Sequence, residues 1–262
     1  MFCFVKGVKE TVRKKYFFFD IDGTLAPGLT RIMPADTRRC LAQLKARGHF
    51  ISLATGRLQK DAAMFAEQYG ISSLVADGGN SVTLDGVLRV MKGLPREDCL
   101  RFLDQLEAKG IPWAITTVNE RVRFTADKRF RAYVDDGYFD TVMVDGLDYR
   151  RQDSFYKIFV PTMAGEGDFG ALPVVHYSSA CTFVEPTDKA AGIKEAMAMM
   201  RAPLEDVVVF GDGSNDMGMF LPQWRAIAMG NATPQLKARA SFVTKDCDDG
   251  GIAYACGKFG WI

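Results

Sequence analysis

The stretch "KKYFFFDIDGTLAPG", residues 14–28, carries an apolar run straight into Asp20 and Asp22. In an extended chain alternate side chains share a face, so the two carboxylates crowd one strand end. At about 5 Å apart they repel by roughly 3 kcal/mol at an effective dielectric of about 20. Asp-Gly is also a strong hairpin signal. It recurs at Asp77-Gly78, Asp85-Gly86, Asp136-Gly137, Asp145-Gly146, Asp212-Gly213 and Asp249-Gly250, so frequency alone would make Asp22-Gly23 a turn. Three further stretches weigh against that default. Thr55-Gly56-Arg57 follows the apolar "FISLA", where Thr55 either caps a helix or turns its hydroxyl and nearby N–H groups toward an anion. Lys189 falls in the first turn of a helix that Thr187 or Asp188 could cap. A cation there opposes the helix macrodipole by about 0.3–1 kcal/mol and points to an anionic partner, against the commoner solvated lysine. "GDGSND" sets Asp212 and Asp216 around Asn215 directly after "VVVF"; its plainer reading is a turn whose Ser214 caps the next helix. Gathering Asp20, Asp22, Asp212 and Asp216 at one strand edge multiplies the repulsion. A hard divalent cation resolves it, since Mg²⁺ takes a few carboxylate or carbonyl oxygens and keeps waters and a substrate phosphate. Lys189, Thr55 and backbone amides then complete a phosphate cradle.

Elements that would position these groups are legible on either side. "YFFFDI", "FISLAT" and "SLVAD" read as strands, separated by helices over residues 34–48 and 58–70. Continuous apolar strands alternating with helices predict a parallel sheet covered on both faces. From Thr83 the texture changes: a hairpin turning at Asp85-Gly86, a helix over 96–110, then strand-like "WAITTVNERVRFT", "SFYKIFV", "PVVHY" and "CTFVEP". This predicts an inserted α+β unit over residues 83–184, with the α/β core made of residues 1–82 and 185–262. The core resumes with helix "KAAGIKEAMAMM", strand "DVVVFGD", helix "SNDMGMFL", strand "AIAMG", helix "TPQLKARA" and a last strand near "SFVT".

Composition bounds the reading. A chain of 262 residues, 48% hydrophobic, can bury a substantial core. Its 33 Lys and Arg against 32 Asp and Glu leave a net charge of +1, no field for nucleic acid or an anionic membrane. No apolar run approaches the roughly 18 residues of a spanning helix, and "MFCFVKGVKETVRKK" lacks the features of a secretory signal; it reads as a solvated basic lead-in. The cysteines, Cys3, Cys40, Cys99, Cys181, Cys247 and Cys256, are scattered without Cys-x-x-Cys spacing, as expected of thiols in a reducing compartment; cytoplasmic localisation follows as the expectation. His49 and His176 lie far from any nucleophile signature and are expected to be structural, which disfavours acyl transfer.

In this order, "DIDGTL", "ATGR", Lys189 and "GDGSND" resemble the haloacid dehalogenase superfamily of phosphohydrolases. The long insertion and the tail "AMGNATPQLKARASFVTKDCDDGGIA" resemble its Cof-type branch with a C2-type cap. The resemblance implies a Rossmann-like core and a Mg²⁺-dependent phosphatase. Asp20 would be the nucleophile and Asp22 the acid and base. Asp20, the Asp22 carbonyl and Asp212 would hold the metal with Asp216 in support, and Ile21, Thr55, Gly56, Lys189 and Asn215 would bind the phosphoryl group. The partner would be a small phosphate ester, most readily a sugar phosphate, and the chain a monomer or weak homo-oligomer. A phosphomutase, or a phosphosugar-binding protein without turnover, would use the same residues. Asn119 and Arg121, near the turn of "TTVNERVRF", are candidates for touching the leaving group. Where relatives commonly carry Asn-Gly-Ala after the third strand, this chain has Asp77-Gly78-Gly79-Asn80.

Overall fold

Phe17, Phe18 and Phe19 are wholly excluded from water, as a strand covered on both faces requires. The computed structural model that shows this describes residues 13–28, 30–134, 136–162, 169–176 and 181–262. The lead-in through residue 12, with Cys3, lies outside the described residues. The chain begins β1 (Tyr16–Phe19), α1 (Ala35–Ala46), β2 (Phe50–Ala54), α2 (Gln59–Gln68), β3 (Leu74–Ala76), β4 (Ser81–Leu84) and β5 (Val87–Met91). It continues α3 (Arg96–Ala108), β6 (Ala114–Thr116), β7 (Val122–Thr125), α4 (Lys128–Tyr133), β8 (Asp140–Met143), β9 (Lys157–Pro161), β10 (Val174–His176) and β11 (Cys181–Val184). It closes α5 (Lys189–Met199), β12 (Val207–Gly211), β13 (Arg225–Ala228), α6 (Pro234–Arg239), β14 (Phe242–Val243) and α7 (Gly251–Lys258).

The larger sheet runs β14-β13-β12-β1-β2-β3-β4-β5, parallel from β14 to β3 and antiparallel beyond. It grows from β1 toward β2 on one side and from β12 toward β13 on the other. That reversal opens a crevice at the carboxyl ends of β1 and β12, where such sheets place a ligand. Phe19 is in register with Phe210, and the Asp20 N–H donates to the Phe210 carbonyl at 3.0 Å. The residues that follow the two strands therefore emerge side by side.

The smaller sheet runs β10-β11-β9-β6-β7-β8, antiparallel except for β7 with β8. Cys99, Phe102, Leu103 and Leu106, at i, i+3, i+4 and i+7 of α3, bury one helical stripe against Ile115, Ile158 and Val184.

Several expectations change in detail. The hairpin turns at Asp85 (φ 50°) and Gly86 (φ 79°) as read from the sequence. Its strands, however, extend the larger sheet, Ala76 pairing with Ser81, so a boundary at Thr83 cuts through a hairpin bonded to the core. The strand-like "WAITTVNERVRFT" forms β6 and β7 on either side of its turn. Residues 214–221, read as an α-helix, form a 3₁₀ turn over Ser214–Met219, drawn tight by Asp216. The short β8 and α7 have no counterpart in the sequence reading. His49 is structural as expected: it is buried, and its Nδ1 accepts the Lys15 N–H at 3.0 Å. Among the described residues no helix is long and apolar enough to cross a membrane.

Candidate active site

At the end of β1, Asp20 is 4% exposed and its Oδ1 accepts the Lys189 ammonium at 2.7 Å. The same ammonium donates to Asp216 Oδ1 at 2.6 Å. Lys189 opens α5, and Asp188, one of the two caps foreseen, accepts the Ala191 N–H at 2.9 Å. The cation that opposes the helix dipole is buried to 1% exposure and held by two carboxylates. Burial lowers its proton affinity, but Asp20 and Asp216 outweigh that and raise its pKa.

Asp212, just beyond β12, accepts the Thr24 hydroxyl at 2.9 Å. Gly23 lies so close behind it that a Cβ would stand 2.1 Å from Asp212 Oδ2, and its φ of 80° also requires glycine. Asp216 commits its other oxygen to the N–H groups of Asp212 and Gly213, at 2.9 and 3.0 Å, and so braces the loop.

One carboxylate oxygen each from Asp20, Asp212 and Asp216 falls within 4.8 Å of the others. Burial pushes Asp20 well above the usual carboxylate range; Lys189 opposes that, and Asp216, Asp212 and Asp22 reinforce it. Burial and then Asp216 push Asp212 up to about 7. Three acids share one lysine, so the cluster lacks positive charge, and its all-oxygen donor set fits a hard divalent cation. The Asp22 carboxylate stands apart from this cluster: Arg57 grips it with Nε at 2.8 Å and Nη2 at 2.5 Å.

Thr55 is not a helix cap; its Oγ1 accepts the Arg57 N–H at 3.1 Å, while Asp77 Oδ2 takes the Gln59 N–H at the start of α2. The Ile21 side chain is in the core and its carbonyl receives the N–H groups of Thr24, Leu25 and Ala26. What Ile21 can offer an anion is its backbone N–H. Asp20, Asp22, Thr55, Gly56 and Asn215 line a cavity of about 260 Å³, to which the inserted unit contributes Arg121, Tyr138, Phe139 and Lys157.

Of the two leaving-group candidates, Arg121 reaches this cavity. Asn119 does not line it: its amide accepts the Lys60 N–H at 3.0 Å and donates to Gln59 Oε1 at 2.8 Å, pinning the inserted unit to the first turn of α2. Sequence reading also missed three buried groups. Arg57 was quoted but given no role. Asp61, in the first turn of α2, carries no local signal that sets it apart from an ordinary first-turn acid. Lys157, inside "SFYKIFV", donates to the Gly56 carbonyl at 3.1 Å and pairs with Glu185, while burial lowers its pKa to about 8.

With this geometry in view, comparison with known proteins is specific. The family model of haloacid dehalogenase-like hydrolases matches residues 17–166 and 182–256. YkrA of Bacillus subtilis, named as a phosphatase, is 31% identical over 95% of this chain and 98% of its own. A crystal structure from Geobacillus kaustophilus superposes with a TM-score of 0.78 at 27% identity, covering 95% of this chain and 100% of that one. The subclass IIB sugar phosphatase BT4131 shares the fold at 23% identity and a TM-score of 0.76, over 95% of this chain and 100% of its own. Two acids at the end of the first strand, a buried lysine and an acid pair at the neighbouring strand, in a chain matched nearly end to end, place it among the haloacid dehalogenase-like hydrolases, as a Cof-type phosphohydrolase.

Proposed function

We propose that this phosphoric monoester hydrolase is Mg²⁺-dependent, acts on a small sugar phosphate, and works through an aspartyl-phosphate on Asp20. The observation that carries the reading is the meeting of Asp20, Asp212 and Lys189 where β1 and β12 end, with Asp20 and Asp22 lining the cavity. Lys189 holds one oxygen of Asp20, and the second attacks phosphorus. The ester oxygen leaves with a proton from Asp22. A water that gives its proton back to Asp22 then cleaves the acyl phosphate, releasing inorganic phosphate and restoring Asp20. Thr55, Asn215, Lys189 and the backbone of Ile21 and Gly56 meet the phosphoryl oxygens as their charge spreads. Mg²⁺, held by the Asp20 carboxylate, the Asp22 carbonyl and Asp212, would supply the positive charge that the acid cluster lacks. Asp216 orients Lys189 and the Asp212 loop from behind.

A sugar phosphate is supported by the cavity's mixed wall: Arg121, Tyr138 and Glu185 offer hydrogen bonds beside the apolar faces of Phe139 and Phe183. The likeness to BT4131 points the same way. The test is phosphate release from p-nitrophenyl phosphate after metal removal and again with added Mg²⁺, then a panel of sugar phosphates, nucleotides and pyridoxal phosphate. Full activity in excess chelator would refute the metal role. A ranking that puts every sugar phosphate below the other esters would refute the substrate class.

A further inference from the structure

Asp61, the third residue of α2, is 3% exposed and takes no part in the phosphoryl chemistry above. An acid in a helix's first turn normally faces water, where the dipole alone favours it. Here the carboxylate is enclosed by four groups from four segments. Tyr138 donates its phenol to Oδ2 at 2.6 Å, and Arg31 donates to Oδ1. Arg121 Nε lies 3.4 Å away, with its guanidinium 5.2 Å over the Tyr138 ring. Arg57 Nη1 lies 3.5 Å from Oδ2.

The last of these matters most. Arg57 is 6% exposed, and its Nε and Nη2 grip both oxygens of Asp22. Its Nη1 is buried without a hydrogen bond and turns toward Asp61. The guanidinium thus stands between two carboxylates, the working acid on one side and Asp61 on the other. A planar cation held from both sides keeps one orientation, and the acid it grips keeps that orientation too. Tyr138 and Arg121 belong to the inserted cap, Asp61 and Arg57 to the core. The carboxylate that backs Arg57 is therefore also one on which the cap rests.

We propose that Asp61 is a positioning residue: through Arg57 it fixes the orientation of Asp22, and by accepting Tyr138 and Arg121 it makes that orientation depend on a seated cap. The inference rests on the reading of Asp22 as the acid that protonates the leaving group. Its consequence is specific, because a misplaced acid harms only those esters whose leaving oxygen needs a proton. A cap that is merely loosened gives no such split between two esters whose leaving groups both lack the sugar hydroxyls that the cap would bind.

The experiment compares kcat/KM for a simple alkyl phosphate, whose alkoxide must be protonated, with that for 2,4-dinitrophenyl phosphate, whose phenolate leaves unaided. This parameter reports the steps up to departure of the alcohol, so the later role of Asp22 as base does not enter. Asp22→Asn comes first and should lose at least about a hundredfold more on the alkyl ester than on the aryl ester. If it does not, the acid assignment itself fails, visibly and before Asp61 is touched. Given that control, Asp61→Asn should lose at least about tenfold more on the alkyl than on the aryl ester, with the loss in kcat rather than KM. Equal losses on the two esters, or no loss, overturn the proposal. If Asp61→Asn does not fold, Tyr138→Phe decides, since it removes the phenol donor and leaves the carboxylate. Its losses should differ by about two- to fivefold in the same direction, and equal or absent losses overturn the proposal there as well.

Discussion

Asp77 is a position where the chain carries a burden that one atom exchange should lift. It follows β3, is 3% exposed, and holds a φ of 50°, a region that Asn tolerates best after Gly. Its Oδ2 accepts the Gln59 N–H at 3.1 Å, while Oδ1 is buried without a partner. Burial raises its pKa to about 6, outweighing the opposing pulls of Lys157 and the Gln59 N–H. The unfolded chain titrates near the ordinary carboxylate value of about 4. Between these values the native state binds the proton more tightly than the unfolded state, so stability falls as pH rises from about 4 through about 6. Two units correspond to about 3 kcal/mol, fully felt above pH 7 and absent only below about 3. Asp77→Asn removes the charge, keeps a carbonyl oxygen for Gln59, and aims an amide at the Ser81 hydroxyl, itself buried and unpartnered. We predict a gain of about 2–3 kcal/mol at pH 8, equivalent to a Tm rise of roughly 5–10 °C, shrinking to about 1 kcal/mol near pH 4.5 and toward zero below about pH 3. Urea or thermal unfolding of both proteins across that range measures it. A gain that does not vary with pH, or a loss at pH 8, would refute the reasoning.

Three further outcomes are expected. Asp20→Asn should abolish turnover while leaving Tm in metal-free buffer unchanged or raised, because one of three clustered carboxylates loses its charge; activity above a few per cent of wild type would remove Asp20 as nucleophile. Gly78→Ala should destabilise by about 3 kcal/mol or more, since its Cβ would stand 1.7 Å from the Pro186 carbonyl at a φ of 58°; a variant with wild-type Tm would show that the segment yields freely. Exchanging the cap, from α3 through β11, for that of a relative with another preference should change the kcat/KM ranking of two phosphate esters, because the core recognises the phosphate common to all of them. A folded, active chimera that keeps the parent's ranking would place specificity in the core.

How much of this was legible in the sequence depends on the range of the interactions involved. "YFFF" and "VVVF" announce buried parallel strands by composition, and parallel neighbours must end at the same edge, so Asp20 and Asp212 could be expected together. Lys189 gave a weaker signal: a cation in a helix's first turn that local physics does not favour. The hairpin at Asp85-Gly86 was legible, but not the sheet it joins. Which edge accepts it depends on β3, and nothing inside the hairpin encodes that.

Missed residues share another property. Asp61 reads locally as a first-turn acid, yet its partners Arg31, Tyr138 and Arg121 arrive from elsewhere in the chain, two of them from the cap. Asn119 reads as a turn residue facing substrate, and instead closes the cap onto Gln59 and Lys60. Lys157 reads as one polar position in an apolar strand, and its charge is balanced by Glu185, where the chain re-enters the core. Each of these polar groups is committed to the joint between cap and core, where complementarity is set by the docking of two separately patterned units. Local periodicity reports which face of an element is buried, but it is silent on whether the burying partner is the element's own core or another unit. A polar residue at such a joint therefore looks the same as a solvated one until the two units are seen together, and the groups that couple a cap to its chemistry are the ones that local patterning leaves unmarked.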